Sequence, residues 1–304
     1  MKCYRIYQDQ SVPENTNRII HDQLKIIAGH CSEQEDIQVS IHEIRKSCKR
    51  IRAVLRLVRD NIGYSTYLRE NVFYRDLART FSVIRDYEVL CNSMKILREK
   101  QPDELKSIVS SRVLEYFTEL RDRYLEDLLN ESDPFGYVLH ALEAAKTRVD
   151  QFYYTHDNFS GMGPGLERIY RQGRRLKKIV ENRYTPEEFH NFRKRSKYLL
   201  YQIQLLKKVY KPTLKGYAKS LSIMTDRLGD YRDFDQLAEY LNHQRIPGFT
   251  KRKSENLVKM IEAEKIGLYK KAMRLSDLVY AESPRAFINR MESYWNASLK
   301  HKIK

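Results

Sequence analysis

The chain has 304 residues, with 56 Lys and Arg against 40 Asp and Glu and a formal net charge of +16. Its 41% apolar and 11% aromatic residues are enough core-forming side chains to exclude wholesale disorder, and 11 Gly and 8 Pro exclude a collagen-like or low-complexity chain. No run approaches the ~20 consecutive apolar residues of a membrane-spanning helix, and Cys3, Cys31, Cys48 and Cys91 lack the CxxC spacing of a zinc site. The opening MKCYRIYQDQSVPEN has no apolar signal-peptide core. These features predict a soluble cytoplasmic protein with reduced structural thiols, no cofactor, no metal and no membrane partner. Length alone suggests about two domains at ~150 residues each, and the charge implies a polyanionic partner without identifying it.

In chain order the punctuation is helical. Arg18, His21 and Lys25 recur at i, i+3, i+7 in the first segment, and a long amphipathic stretch follows from Ile41. Leu114, Phe117, Leu120 and Tyr124 continue the three-and-four spacing, with no sustained alternation of period two. Pro102, Pro134, Pro164, Pro186, Pro212 and Pro284 each stand where a periodic segment begins, as suits a residue whose missing N–H costs nothing in the first helical turn. In Thr185-Pro186-Glu187-Glu188 the threonine can cap the helix and Glu188 can reach back to complete a capping box. The prediction is an all-α fold of about ten helices. Thr155 to Gly165, rich in Gly, Asn, Asp and Pro, is the expected linker between residues 1–154 and 166–304.

The two halves repeat each other. IHEIRKSCKRIRAVLRLVR from Ile41 aligns with FHNFRKRSKYLLYQIQLLK from Phe189, so that His42/His190, Arg45/Arg193, Lys46/Lys194 and Lys49/Lys197 match at one offset of 148 residues. Ile84-Arg85-Asp86-Tyr87-Glu88 pairs with Tyr231-Arg232-Asp233-Phe234-Asp235, and Arg18, His21 and Lys25 share their spacing with Arg168, Arg171 and Arg175. A long-period duplication of a helical unit accounts for all three matches.

At 100° per residue, His42, Arg45, Lys46, Lys49, Arg52 and Arg56 fall within about 120° on one helix face. Ile44, Ile51, Leu55, Val58 and Ile62 lie opposite. In the second half His190, Arg193, Lys194, Lys197 and Lys208 share a face with Tyr201 and Gln204, opposite Phe192, Leu199, Ile203 and Leu206. Solvated helix faces usually mix signs, because like charges at i, i+4 cost a few tenths of a kcal/mol each. Two stripes that oppose their own helices are explained by a bound anion. A histidine heads each stripe. Neighbouring cations should lower the imidazole pKa and a phosphate should raise it, so binding is expected to take up protons. Asp86 and Asp233 stand beside arginines they could orient through charge-assisted hydrogen bonds, or pair with as local salt bridges.

The pattern His-x-x-Arg-Lys-x-x-Lys near Tyr201, preceded by the basic helix from Arg168 to Lys178, followed by an Arg-Asp helix and occurring twice, resembles the CHAD domain, the conserved histidine α-helical domain. The resemblance runs from about Asn15 to about Leu299. It implies two pseudo-symmetric antiparallel four-helix bundles enclosing a basic groove or channel that binds inorganic polyphosphate, with association with polyphosphate granules and no catalysis. It implies polyphosphate contacts at His42, Arg45, Lys46, Lys49, Arg52, Arg56, Arg85, Arg168, Arg174, Arg175, His190, Arg193, Lys194, Lys197 and Arg232, with Asp86 and Asp233 orienting. Two positions depart from the family's pattern: Leu200 stands where many members have Arg, and Lys49 keeps a charge but not the bidentate fork of a guanidinium.

Two other readings compete. A helical phosphohydrolase using His21-Asp22 and His156-Asp157 would place one pair in the expected linker and set a divalent metal among repelling cations. Nucleic acid is the alternative partner, since 22 tyrosines and the positive charge would serve base stacking and phosphate contacts alike. No helix-turn-helix, RNP or zinc motif supports it. Preferred chain length, oligomeric state and protein partners are not encoded in these patterns.

Overall fold

A computed structural model describes residues 4–100, 109–244, 246–247 and 249–300. The described residues form eleven α-helices and no strand: α1 Val12–Glu33, α2 Ile37–Leu57, α3 Tyr64–Arg79, α4 Ser82–Lys100, α5 Ser111–Glu131, α6 Pro134–Asp150, α7 Gly163–Asn182, α8 Pro186–Leu206, α9 Lys211–His243, α10 Lys251–Val279 and α11 Pro284–Lys300, with a short 3-10 turn at Phe159–Gly161. Pro102 and Cys3 lie outside the described residues, while Cys31, Cys48 and Cys91 are buried thiols that form no disulfide.

Local chemistry sets the helix starts. Pro134, Pro186 and Pro284 each open a helix, and Pro164 and Pro212 stand second in theirs. Thr185 caps α8 by accepting from the Glu188 N–H at 3.2 Å, and Glu188 reaches back to accept from the Thr185 hydroxyl at 3.1 Å. A reciprocal capping box closes on α1: the Ser11 hydroxyl accepts from the Glu14 N–H and the Glu14 carboxylate from the Ser11 N–H at 2.7 Å. At the head of α2 the Asp36 carboxylate accepts from the N–H groups of Gln38 and Val39.

The chain divides into two compact units, and each draws on both halves of the sequence. The first comprises Met1–Thr80, Phe135–Thr225 and Leu275–Lys304, the second Phe81–Pro134 and Asp226–Arg274. In the first unit α2 packs on α1, α3, α7 and α8, and α7 also meets α8 and α11. The apolar stripes read from the sequence form this core: Ile44, Ile51, Leu55, Val58, Phe192, Leu199, Ile203 and Leu206 are all at most 1% exposed. Gly165 lets α7 approach α2 closely, because a Cβ there would overlap the carbonyl oxygens of Arg56 and Leu57.

The Thr155 to Gly165 segment, expected as a linker, is tied into the first unit. The Asn61 side chain accepts from the N–H groups of Thr155 and His156 at 3.0 and 2.8 Å and donates to the His156 carbonyl at 2.9 Å. The Val12 N–H donates to the Asp157 carbonyl at 2.8 Å. Nearby, the fully buried Glu70 carboxylate accepts two hydrogen bonds from Arg148 at 2.8 and 3.0 Å and one from Arg69 at 2.8 Å.

In the second unit α4 packs on α5. Of the α5 stripe Leu114, Phe117, Leu120 and Tyr124, Phe117 is fully buried and Tyr124 remains 41% exposed, stacking on Tyr87 at 4.6 Å. Lys265 lies on α10 and donates to Asp235 and Glu262.

Candidate anion-binding site

Along α2 the cations differ in what holds them. His42 and Lys49 are exposed. Arg45 donates to the Ala78 carbonyl at the end of α3, and Arg52 donates through Nε to the Asn71 side chain at 3.1 Å. Lys46 turns to Glu43 on its own helix at 2.6 Å, so an acid borders the cationic stripe. Partial burial works to raise the Glu43 pKa, but the Lys46 hydrogen bond and the charges of Lys46, His42 and Arg50 prevail and hold it below the usual range. Arg56 is only 8% exposed; it donates to the Arg52 carbonyl at 2.9 Å and lies 4.0 Å from the ring centroid of Tyr198 on α8.

That stacking joins the two repeated helices. α2 and α8 pack against each other within the first unit, and the Gln202 side chain of α8 donates to the Ala53 carbonyl of α2 at 3.2 Å. At this junction Arg52, Arg56, Lys194 and Arg195 act on one another electrostatically. Desolvation comes first in holding the Lys194 ammonium below the usual lysine range, and the charges of Arg195, Arg52 and Arg56 add to it. Arg52 and Arg56 are likewise held below the usual arginine value, chiefly by burial; Arg56 opposes Arg52, and Arg195 and Arg59 oppose Arg56. Tyr198 moderates all three without carrying a compensating charge. The Asp76 carboxylate at the end of α3, paired with Arg75, also feels the charge of Arg52. Removing cations from water beside like charges is unfavourable unless an anion arrives.

The other expected residues are distributed as follows. On α8, His190 is exposed, Arg193 is half-buried, and Lys197 faces the Thr225 hydroxyl at 3.5 Å. On α7, Arg168 is paired with Asp60 at 2.6 Å, Arg174 donates to the Tyr280 carbonyl at 3.2 Å, and Arg175 is exposed. His21 meets Asp150 at 2.7 Å rather than its neighbour Asp22. Arg85, Asp86, Arg232 and Asp233 belong to the second unit. There Arg85 pairs with Glu88 at 2.6 Å, and Arg232 pairs with Asp235 and, at 3.5 Å, with Glu239. The partners of these arginines lie three and seven residues further along the same helices; Asp86 itself is exposed.

Sequence reasoning missed Arg195, Arg59, Tyr198 and Tyr67. Arg195 lies about 100° around α8 from Lys194, off the stripe that starts at His190. The approach of α2 on that side is what makes it part of the cluster. A signal was present: Arg195 directly follows Arg193-Lys194, and Arg59 continues the series Arg52, Arg56 at i+3.

The first unit is all-helical and brings two basic helices together around the buried Arg56, with Arg52 and Arg195 half-buried and Lys194 exposed, an arrangement suited to holding an anion. The sequence matches the CHAD domain over residues 18–242, and the chain belongs to that family. Polyphosphate binding is the family's general function, and its domain is generally a non-catalytic binding module. No curated protein matches the chain. Among the described residues, no helix is long and apolar enough to cross a membrane.

Proposed function

We propose that this chain binds inorganic polyphosphate without transforming it, and that the two repeated basic helices form one binding surface. The observation that carries the reading is the junction of Arg52, Arg56, Lys194 and Arg195, where two packed basic helices bring four cations together and Arg56 is buried against Tyr198. A chain with about one negative charge per phosphate would relieve several of them at once. His42, Arg45, Lys46, Lys49, His190, Arg193 and Lys197 extend the surface along α2 and α8, with Arg168, Arg174 and Arg175 from α7. Arg85 and Arg232, with Asp86 and Asp233 orienting them, are proposed as polyphosphate contacts of the second unit taken by itself.

In this reading the halves 1–154 and 166–304 descend from one duplicated helical bundle, a basic groove runs between the copies, and binding serves to place the protein at polyphosphate granules. Repeated weak contacts along a flexible polyanion raise the local concentration for the next contact, so affinity climbs with chain length. By analogy with nucleic acids it falls steeply with salt as counterions are released.

Titration with polyphosphates of graded length, wild type beside Lys49→Ala/Lys197→Ala, tests the proposal. Rising affinity with length and a weakened double variant support it; affinity independent of length overturns it. Competition separates it from the nucleic-acid reading. Long-chain polyphosphate should displace a labelled oligonucleotide at far lower phosphate concentration than the reverse, and victory for DNA or RNA would sink the assignment.

A further inference from the structure

The cation cluster continues within the first unit as an alternating series of charges and rings. Arg56 lies 4.0 Å from the Tyr198 centroid and 6.0 Å from that of Tyr67. Arg59, three residues on, lies 5.2 Å from the same Tyr67 ring and 4.6 Å from Tyr64. The order is Tyr198, Arg56, Tyr67, Arg59, Tyr64. Its inner members are nearly closed to solvent, with Tyr198 at 7% and Tyr67 at 9% exposure, whereas Tyr64 at the outer end is 58% exposed.

The outer end is built rather than incidental. Gly63, at φ 79°, makes the left-handed turn from which α3 starts, and Tyr64 is the first residue of that helix. The Arg59 guanidinium lies over its ring, and the buried Arg59 Nε has no hydrogen-bond partner, so stacking is what positions this side chain. A bare phosphate chain gains nothing from an exposed phenol ring. A planar heterocycle does, because every nucleobase has a π face, and a guanidinium behind the ring adds a cation–π contribution.

We propose that the first unit also takes nucleoside polyphosphates, with the phosphates on Arg52, Arg56, Lys194 and Arg195 and the base stacked on Tyr64. This rests on the phosphate-binding reading of the same cluster and adds to it a ligand class that an inorganic chain does not represent. The base is held by stacking, so purines, with the larger face, bind better than pyrimidines, and the identity of the exocyclic groups matters little.

Calorimetric titration with ATP and with tripolyphosphate, both in EDTA-containing buffer, tests it. The two ligands have the same number of phosphates and differ by the nucleoside. Wild type should bind ATP about tenfold tighter, within the range one stacked base contributes. Tyr64→Leu should bring ATP down to the level of tripolyphosphate and leave tripolyphosphate unchanged, while Tyr64→Phe should keep the advantage. ATP no tighter than tripolyphosphate, or an advantage that survives Tyr64→Leu, overturns the nucleoside site while leaving polyphosphate binding standing. If wild type binds neither tripolyphosphate nor long-chain polyphosphate, the cluster is not a phosphate site and both proposals fall together.

Discussion

Replacing Lys194 by methionine should make the unliganded protein more stable and its grip on polyphosphate weaker. Methionine keeps the length and apolar stem of the side chain and removes the charge. Lys194 faces the charges of Arg195, Arg52 and Arg56. Each like-charge contact of this kind costs a few tenths of a kcal/mol, so three of them, screened by solvent, cost about 0.5–1 kcal/mol at low salt. Release of that amount raises Tm by about 1–4 °C for a domain of this size. The gain should shrink between 20 and 500 mM salt as the Debye length contracts from about 20 Å to about 4 Å. Polyphosphate affinity should fall about fivefold to tenfold, and the slope of log affinity against log salt should become shallower by about one. Thermal unfolding at the two salt concentrations and polyphosphate titration at four or more supply the readouts. A variant less stable than wild type at low salt, or one with unchanged affinity and salt slope, would refute the idea that Lys194 is held at a cost that the ligand repays.

The same residue gives a pH dependence: its folded value lies below its unfolded value, so between the two the unfolded chain binds more protons and stability rises with pH, to be lost again as pH falls through the folded value. Differential unfolding of wild type and Lys194→Met across pH 8–11 should show that slope in wild type alone, and polyphosphate affinity should decline over the same interval as the ammonium discharges. Between pH 6 and 8, affinity should fall in wild type and be flatter in His42→Ala/His190→Ala; a flat wild-type profile there removes the histidines from the site. Glu70→Gln should cost about 3–5 kcal/mol in urea unfolding, because it strips the paired charge from Arg148 at a carboxylate with no solvent exposure; a loss below 1 kcal/mol would mean that water replaces it. Gly165→Ala should cost about 1–3 kcal/mol or more and weaken polyphosphate binding too, since the carbonyls it strikes belong to Leu57 and Arg56; full stability would show that α2 and α7 can separate freely.

Much of the fold was legible because helices announce themselves locally. Pro186 behind Thr185, and Pro134 and Pro284 at the head of their helices, act within a single turn, and the apolar stripes of α2 and α8 are properties of one helix each. The division into units was not legible by the same means. A Gly- and Pro-rich stretch reads as a connection, yet Asn61, nearly a hundred residues away in sequence, supplies the hydrogen bonds that hold residues 155 and 156 in place. The site shows the same limit. A wheel drawn for α8 alone separates Arg195 from Lys194, and one drawn for α2 alone treats Arg56 as a surface cation. Packing of one helix on the other buries Arg56 against Tyr198 and brings Arg195 to bear on it. Conversely, Lys46 belongs to the stripe by angle but is engaged by Glu43, a residue just beyond its edge.

The interleaving of the two units has a consequence for biosynthesis. The first unit needs Leu275–Lys304 for its completion, and those residues are made after the whole of Asp226–Arg274. Arg174 and Tyr170 on α7 wait for carbonyls 106 and 112 residues downstream, at Tyr280 and Glu282. Contacts of such separation form slowly. A ribosome-bound chain that already displays α2 and α8 therefore carries its basic helices before the wall behind α7 exists. In a compartment rich in polyanions, the nascent protein exposes those helices to phosphate polymers and ribosomal RNA surfaces alike before its own core has closed.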